Sequence, residues 1–551
     1  MNVLQRMGCR LILLCLCWTI SCGPVIGQLP SHPREDPRDE GVYDWYNRKT
    51  GITRHLIDAV EGRPDSAILA ATDLDGDLEA DFVRAVAYAQ RGMPDSAAFF
   101  VRRSLRAGLP VSRYQAGPDS LFGAWATSEV LQGLIDEFGG DYLVHGPMLG
   151  RVNDHRAGLW LRTDSVRRVQ WIISVDSNFM TAMRSPAIRT DARREHVAKM
   201  DMTGLLPDTR YYYKLEIDGQ EFAGPWTFRT APRVQDKAQI SVGFGGGAAF
   251  IPWHHAMWET LARQEFDAFL FLGDNVYIDY PERPYIQQYC YYRRHAQPEF
   301  RRFIARTPIY AVWDDHDFGD NDAFGTPRVD SPYWKKPVLE VFKNQWINPA
   351  YGGDARHPGV WFTFSQADVQ FFMLDGRYYR EGSFVGDSTG MPKSMLGPAQ
   401  LAWLKDQLLA SDATFKVICS PVPWSFGAKG VMEGRYDTWR GYPEERQEIF
   451  DFLTSHAITG VILIAADRHR SDIWRIDRAG DYPLFEFESS KLTNRHTHNI
   501  RPGSLFGYNE TCSFGKLVFD TQAPDPWVEY QIWNIGGELV HRYRVSLSQL
   551  E

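Results

Sequence analysis

From about residue 238 onward the chain carries six short apolar runs separated by polar and helical stretches: Ala238–Phe244, Ala268–Leu272, Pro308–Trp313, Val369–Leu374, Phe415–Ser420 and Gly460–Ala465. Each is too short for a buried helix and too apolar for a strand with one face in water, so each reads as a strand buried on both faces. The amphipathic stretches Pro398–Ala410 and Glu444–His456 read as helices between them. Strands alternating with helices predict an α/β domain over 233–551, a layered β-sheet core with flanking helices.

Four of the runs lead straight into polar clusters: Gly273-Asp274-Asn275, Asp314-Asp315-His316-Asp317, Asp375-Gly376-Arg377 and Asp467-Arg468-His469. Ligands of open α/β sheets bind beyond the carboxyl ends of strands, so the clusters are expected to converge on one crevice. The densest stretch, Val312 to Asp322, holds the carboxylates of Asp314, Asp315, Asp317, Asp320 and Asp322 beside His316 and Asn321. Neighbouring carboxylates repel and raise one another's pKa, so such crowding requires positive charge among them. Taken singly, each cluster reads as a turn or a solvated ion pair before it reads as a site; their succession after four strands points to a site.

Asp, Asn and His without thiolates suit hard or borderline ions such as Ca, Mn, Fe or Zn. Two ions about 3.5–4 Å apart can share a carboxylate and clamp the attacking and leaving oxygens of a phosphoester. In that chemistry Asp274 is the expected bridge, His316 steers or protonates the leaving group, and Arg377 grips the phosphate through its planar fork. Arg468 and Arg470 divide between solvent-facing pairing and phosphate contact.

Gly273-Asp-Asn-Val-Tyr277, Trp313-Asp-Asp-His-Asp317, Leu374-Asp-Gly-Arg377 and Ala466-Asp-Arg-His469 resemble the ordered motifs of the PhoD-like alkaline phosphatases and phosphodiesterases, within the calcineurin-like metallophosphatase superfamily. The resemblance spans about 143–500. It implies metal ligands at Asp274, Asp315 and Asp467, with Asn275, His469 and Asn321 nearby, and it maps His316, flanked by Asp314 and Asp317 in the same ligand set, onto the superfamily's catalytic histidine. It also implies an aromatic ligand, matched loosely by Tyr292, and a cysteine just after the first strand. Here that place reads Gly243-Phe-Gly-Gly-Gly247. The departure favours Ca or Mn over an iron–thiolate centre, with Fe or Zn as the other metals of the class; the glycines also leave room for backbone to approach a phosphate.

Upstream, Arg6 and Arg10 flank the start of the apolar run Leu11–Ile20, too short to span a bilayer and placed as an export signal over 1–27. Thr19-Ile-Ser-Cys22-Gly resembles a lipobox, which would lipidate Cys22; cleavage near Gly27-Gln28 is the alternative. Residues 28–41 read as a tether. Over 42–142 the helical pattern repeats itself, Gly62-Arg-Pro-Asp-Ser-Ala67 returning as Gly92-Met-Pro-Asp-Ser-Ala97, which predicts stacked, tetratricopeptide-like helical hairpins. Asp73-Leu-Asp-Gly-Asp77 imitates a calcium loop but has Leu78 and Arg84 where the EF-hand needs Gly and Glu, so it reads as an inter-helix loop. Residues 143–232 read as a β-sandwich of the fibronectin or immunoglobulin kind.

A net charge of −9 over 551 residues leaves no basic footprint for nucleic acid. Cys290, Cys419 and Cys512, the three cysteines beyond the signal, form no CxxC pair and read as buried thiols. The sequence predicts an exported metal-dependent phosphoester hydrolase of the periplasm or cell envelope, lipid-anchored to the outer membrane if Cys22 is modified. A protein partner on the helical repeat is the second expected interaction. The competing reading is a cell-surface binding or scaffold protein with a degenerate metallophosphatase site.

Overall fold

The apolar runs form strands, but they divide between two sheets instead of lying in one. The first holds Ile309–Val312, Ala268–Leu272, Gln239–Gly245, Ser513–Asp520, Trp527–Asn534 and Leu539–Ser546, in that spatial order. The second runs Phe362–Gln366, Val369–Met373, Phe415–Cys419, Val461–Ala465, Asp481–Ser489, Ser471–Arg478 and Phe506–Tyr508. C-terminal segments cause the split, because Ser513–Asp520 pairs antiparallel with the first strand, Gly515 opposite Phe244, and closes off that edge. The sheets face each other through aromatic rings: Phe415 lies 5.4 Å from Phe519, and Phe487 lies 4.7 Å from Tyr530.

Within each sheet the strands that carry the polar clusters run parallel. Phe269 sits beside both Gly243 and Ile309, and Ile462 beside both Val417 and Phe485. Parallel neighbours present their carboxyl ends at a common edge, and a bridge from Gly246 to Ser490 joins the two sheets there. Ile462, Leu463 and Ile464 are fully buried; cutting one to alanine removes a well-packed side chain at a cost of about 2–5 kcal/mol.

The computed structural model describes residues 42–74, 77–117, 119–383, 393–429 and 437–551. The signal segment, Cys22 and the tether lie outside the described residues. Residues Val42–Glu551 form one compact unit. At its start the repeated hexapeptide supplies a turn and then a helix: Gly62 and Gly92 take φ of +87° and +75°, Pro64 and Pro94 open the next helices, and Ala67 and Ala97 are fully buried. The calcium-like loop ends in a cap, Asp77 accepting the Glu79 N–H at 2.9 Å to start the helix Leu78–Gln90.

Leu143–Gly150, Arg156–Thr163 and Val197–Thr203 form one small sheet, and Arg168–Ser174, Arg210–Ile217 and Gln220–Arg229 belong to a second. Between them lies a core of their own that includes Leu159, Trp171 and Leu215. Cys290, Cys419 and Cys512 are buried and form no disulfide with one another. Among the described residues no helix is long and apolar enough to cross a membrane.

Candidate active site

The geometry begins with a glycine that cannot be replaced. Gly273 ends the strand Ala268–Leu272 at φ +99°, and a Cβ there would sit 2.4 Å from the Asp314 Cβ. The two polar clusters touch because that side chain is missing. Asp274, Asp279, Asp467 and His469 also take left-handed φ, between 50° and 72°. Such backbone costs about 1–3 kcal/mol per residue and concentrates where side chains must be aimed against local preference.

Asp274 is buried; its Oδ2 accepts the Tyr277 hydroxyl at 2.8 Å, and its Oδ1 has no hydrogen-bond partner. Asp315 accepts the Asp322 N–H at 2.7 Å on Oδ2, and its Oδ1, with no hydrogen bond, faces the Arg377 guanidinium at 3.6 Å. Ligand atoms of Asp274, Asp315 and His316 lie within 4.8 Å of one another, as do those of Asp315, Asp322 and Asp437. The second group is already served by cations: Asp437 receives two bonds from Arg377, at 2.8 and 2.9 Å, and a third from Arg380 at 2.6 Å. The first group has no such guanidinium on Asp274.

Charge follows this division. Burial, reinforced by Asp315, Asp317 and Asp467 against the pull of His316, holds the Asp274 carboxyl well above its usual range. Asp315 moves the other way, because Arg377 and His316 outweigh its burial. His316 engages Asp279 through Nδ1; burial lowers its pKa, but Asp279, Asp315 and Asp274 together raise it well above the usual imidazole value. Asp467 is pushed to about 6 by burial, opposed by Arg468.

Three sequence assignments are corrected. Arg377 does not reach out for phosphate: it is fully buried, with Nε on Asp314 at 2.6 Å, its two terminal nitrogens on Asp437, and one of them also on the Ala323 carbonyl at 2.8 Å. A guanidinium whose donors are spent on carboxylates is a counter-ion for the cluster. Tyr292 is not a metal ligand, since its hydroxyl bonds Glu195 at 2.6 Å and its ring packs on Arg162. Asp317 is not one either: its oxygens accept the backbone N–H groups of Asp314, Asn275 and Val276 at 3.1–3.2 Å, pinning the two strand ends together.

The remaining predicted residues gather around the first group in different ways. Asn275 donates to the Val312 carbonyl at 2.8 Å and keeps an unpartnered Oδ1; Asp314 keeps an unpartnered Oδ2. Asp467 is paired with Arg468, which is itself buried, so Arg468 is not solvent-facing; Arg470 is spent on Asp472 at 2.6 Å. His469 has an unpartnered Nδ1 and rests against the rings of His496 and His498, at 5.1 and 5.5 Å. Asn321 is exposed, and the residue of its loop that joins the carboxylates is Asp322. Asn321, Asp322, Arg380 and Asp437 line a cavity of about 510 Å³.

The glycines after the first strand serve packing. Carbonyls of Gly246 and Gly247 accept N–H groups from Leu492, Thr493 and Asn494 at 3.0–3.2 Å, and a Cβ on Gly246 would meet Ala466 at 2.8 Å. Those backbone acceptors are used within the protein. Among the described residues no thiol takes the place of the missing cysteine: Cys290 points at the Tyr277 carbonyl, Cys419 at that of Val417, and Cys512 lies 3.4 Å from His254.

Sequence reasoning missed Tyr277, Asp279, Asp437 and Asn494, whose amide group contacts the Tyr277 hydroxyl, and named Asp322 only among the crowded carboxylates. Tyr277 was visible inside the Gly-Asp-Asn-Val-Tyr motif, and Asp279 lies two residues on. Asp437 and Asn494 sit in segments without a strand-end signal.

Two family models match the chain: the PhoD-like phosphatase N-terminal domain over residues 129–232 and the PhoD-like phosphatase over residues 245–503. The first begins at the helix Glu129–Glu137, upstream of the boundary placed at 143. Alkaline phosphatase D of Bacillus subtilis (strain 168) is 24% identical over 373 residues, 59% of this chain; the chain spans 61% of the length of that curated relative. A solved structure of PhoD superposes with a TM-score of 0.62 at 16% identity, covering 73% of this chain and 88% of the other. The purple acid phosphatase PPD1 from yellow lupin (Lupinus luteus) seeds gives 0.53 at 11% identity, covering 73% and 75%. These two establish a shared metallophosphatase fold of mixed sheets. With both family models matching in the order of the motifs, the chain belongs to the PhoD-like phosphatase family.

Proposed function

We propose that the chain is an exported, metal-dependent phosphoester hydrolase in which water attacks phosphorus. The observation that carries this reading is a set of buried acceptors without hydrogen-bond partners at the strand ends: Asp274 Oδ1, Asp315 Oδ1, Asp314 Oδ2, Asn275 Oδ1 and His469 Nδ1. Each such group costs about 1–3 kcal/mol when left unsatisfied, and a cation among them satisfies several at once.

Asp274 and Asp315, with Asn275, Asp467 and His469 beside them, are the residues that would hold the metal. An oxygen-rich set without thiolate favours Ca or Mn, with Fe or Zn as the other metals of this chemistry. Such ions supply a water of lowered pKa and positive charge against phosphoryl oxygens. The chain's own residues do the rest. Asp279 accepts from His316 Nδ1, which orients the imidazolium and leaves Nε2–H for the leaving oxygen. Tyr277 fixes Asp274, and Arg377 holds Asp437 ionised and anchors Asp314 without entering the reaction. The cavity of about 510 Å³ beside Asp322 gives the organic part of the ester room.

The named relative, an alkaline phosphatase, supports the reaction class. Metal-dependent release of nitrophenol from mono- and diesters tests it; no release from either by folded, metal-loaded protein supports the scaffold reading instead. Export and anchoring rest on Leu11–Ile20 and Cys22. A mature N-terminus at a lipidated Cys22, read by mass spectrometry, supports attachment to the cell envelope, and an unmodified start beyond Cys22 makes the protein periplasmic or secreted. The helices of 42–137 offer surface to a protein partner.

A further inference from the structure

With the Arg377 guanidinium spent on Asp314 and Asp437, a phosphoryl group at the cluster lacks the donor that the motif suggested. The other arginines of the strand ends are occupied as well: Arg470 bonds Asp472 at 2.6 Å, and Arg468 bonds Asp467 through Nε at 2.7 Å and through a terminal nitrogen. Phosphoryl oxygens leaving water still need N–H or O–H donors. The stretch from Lys491 to His498, which lies beyond the last of the strand-end motifs, offers two.

This stretch is tied to the first carboxylate group at its start. Asn494 is buried and contacts the Tyr277 hydroxyl, the same hydroxyl that donates to Asp274, and its Oδ1 accepts the His496 N–H at 3.0 Å. Thr493 donates its hydroxyl to the Ala249 carbonyl at 2.5 Å. Further on, the Lys491 ammonium bonds the Thr497 hydroxyl, and the Asn509 amide donates to the His498 carbonyl at 3.0 Å. The backbone that carries His496 and His498 is therefore held from both sides.

Their rings form a triad with His469, nearly perpendicular to one another and with centroids 4.7–5.5 Å apart. His469 is buried, His498 half-buried and His496 exposed, so the triad runs from the strand end out to solvent. Among the described residues no hydrogen bond reaches the ring of His496 or His498, nor do the three imidazoles gather their nitrogens as Asp274, Asp315 and His316 gather their ligand atoms. The triad is thus not a further metal cage. Burial, then Arg468, lowers the pKa of both outer imidazoles, His498 to about 2, so each ring is neutral and carries one N–H. The charges that bear on His496 are those of Arg468, Lys491 and His316, all cationic.

We propose that His496 and His498 are the phosphate-binding donors of this site, each giving a ring N–H to a non-bridging oxygen of the ester bound at Asp274 and Asp315. The role rests on the hydrolase reading and fills the place that Arg377 leaves empty.

Calorimetric titration of the Mn-loaded full chain with inorganic phosphate tests this without turnover, and elemental analysis of the same samples reports the metal. His496→Ala and His498→Ala should each weaken phosphate binding about tenfold or more, the size of a hydrogen bond lost from a charged partner, and raise KM for nitrophenyl phosphate in step, with metal content unchanged. If His498→Ala does not fold, His496→Ala, at an exposed position, decides. No phosphate binding by the parent, unchanged affinity in either folded variant, or metal lost together with phosphate overturns the assignment, the last outcome making the pair ligands. A parent that binds phosphate through both histidines yet releases no nitrophenol would sink the hydrolase reading and leave this site standing.

Discussion

The Tyr277 hydroxyl donates to Asp274 Oδ2 at 2.8 Å and leaves Oδ1 of the same buried carboxylate without a partner. One oxygen is thereby fixed by the protein, and the other is kept for a ligand. Asp274→Asn keeps the shape and removes the charge. We expect it to lower phosphoester hydrolysis by about 10²–10³-fold or more, the size of losing one positioned electrostatic group, with an unchanged circular dichroism spectrum. Retained turnover with normal metal content would show that Asp274 is not part of the centre.

His316 faces two roles at once, as a member of the ligand group and as the partner of Asp279. Our account gives it proton transfer. His316→Ala should cut turnover by about 10²–10⁴-fold while elemental analysis finds the metal still bound. Loss of metal in step with activity would make His316 a ligand.

Arg377 is fully buried among Asp314, Asp315 and Asp437. Removing one partner of a buried pair strands the other, at about 3–5 kcal/mol. Arg377→Met should therefore lower the urea midpoint by that equivalent, and activity should fall only as the folded fraction falls or the carboxylates move. A variant as stable as the parent, with a raised KM alone, would return Arg377 to the phosphate-binding role that its motif suggested.

That reassignment marks how far the sequence was legible. Strand ends were readable because apolar runs such as Ala268–Leu272 and Val461–Ala465 stop abruptly just before Asp274 and Asp467, and the recurrence of that pattern after four strands points to a shared site. The fate of Arg377 was not readable, because its partner Asp437 lies sixty residues on in sequence, without a flanking pattern, and meets it only through the second sheet. Tyr292 and Tyr277 could not be told apart by residue type; only the turn after Gly273 decides which ring reaches Asp274. The division into two sheets was hidden for a similar reason, since antiparallel insertion of Ser513–Asp520 depends on pairing across most of the domain.

Protonation gives the metal-free protein a distinctive stability profile. Burial pushes Asp317 up to about 7 and Asp467 up to about 6, from an ordinary 3.8. A folded-state pKa above the unfolded one means stability that is present at low pH and lost as pH rises through the folded value. His316 adds in the same direction, its stabilisation complete below its ordinary 6.5 and lost above its raised folded value. Asp315 and Asp437, whose carboxyls are lowered, contribute fully above about pH 5 and do not change the slope. The chelated protein should therefore melt at progressively lower temperature from about pH 5 to about pH 8, and Ca or Mn should flatten the profile. A flat or rising curve without metal would contradict the assigned charges.

The central claim is that an oxygen-rich, thiolate-free metal centre at Asp274 and Asp315 hydrolyses phosphoesters. It is tested most directly by nitrophenol release from mono- and diester substrates by one preparation before chelation, after chelation, and after refilling with Ca or Mn. The account predicts activity that chelation abolishes and refilling restores, with no visible thiolate-to-iron absorption at any stage. Activity that survives complete removal of metal, or that returns only with iron and brings such a band, would contradict it.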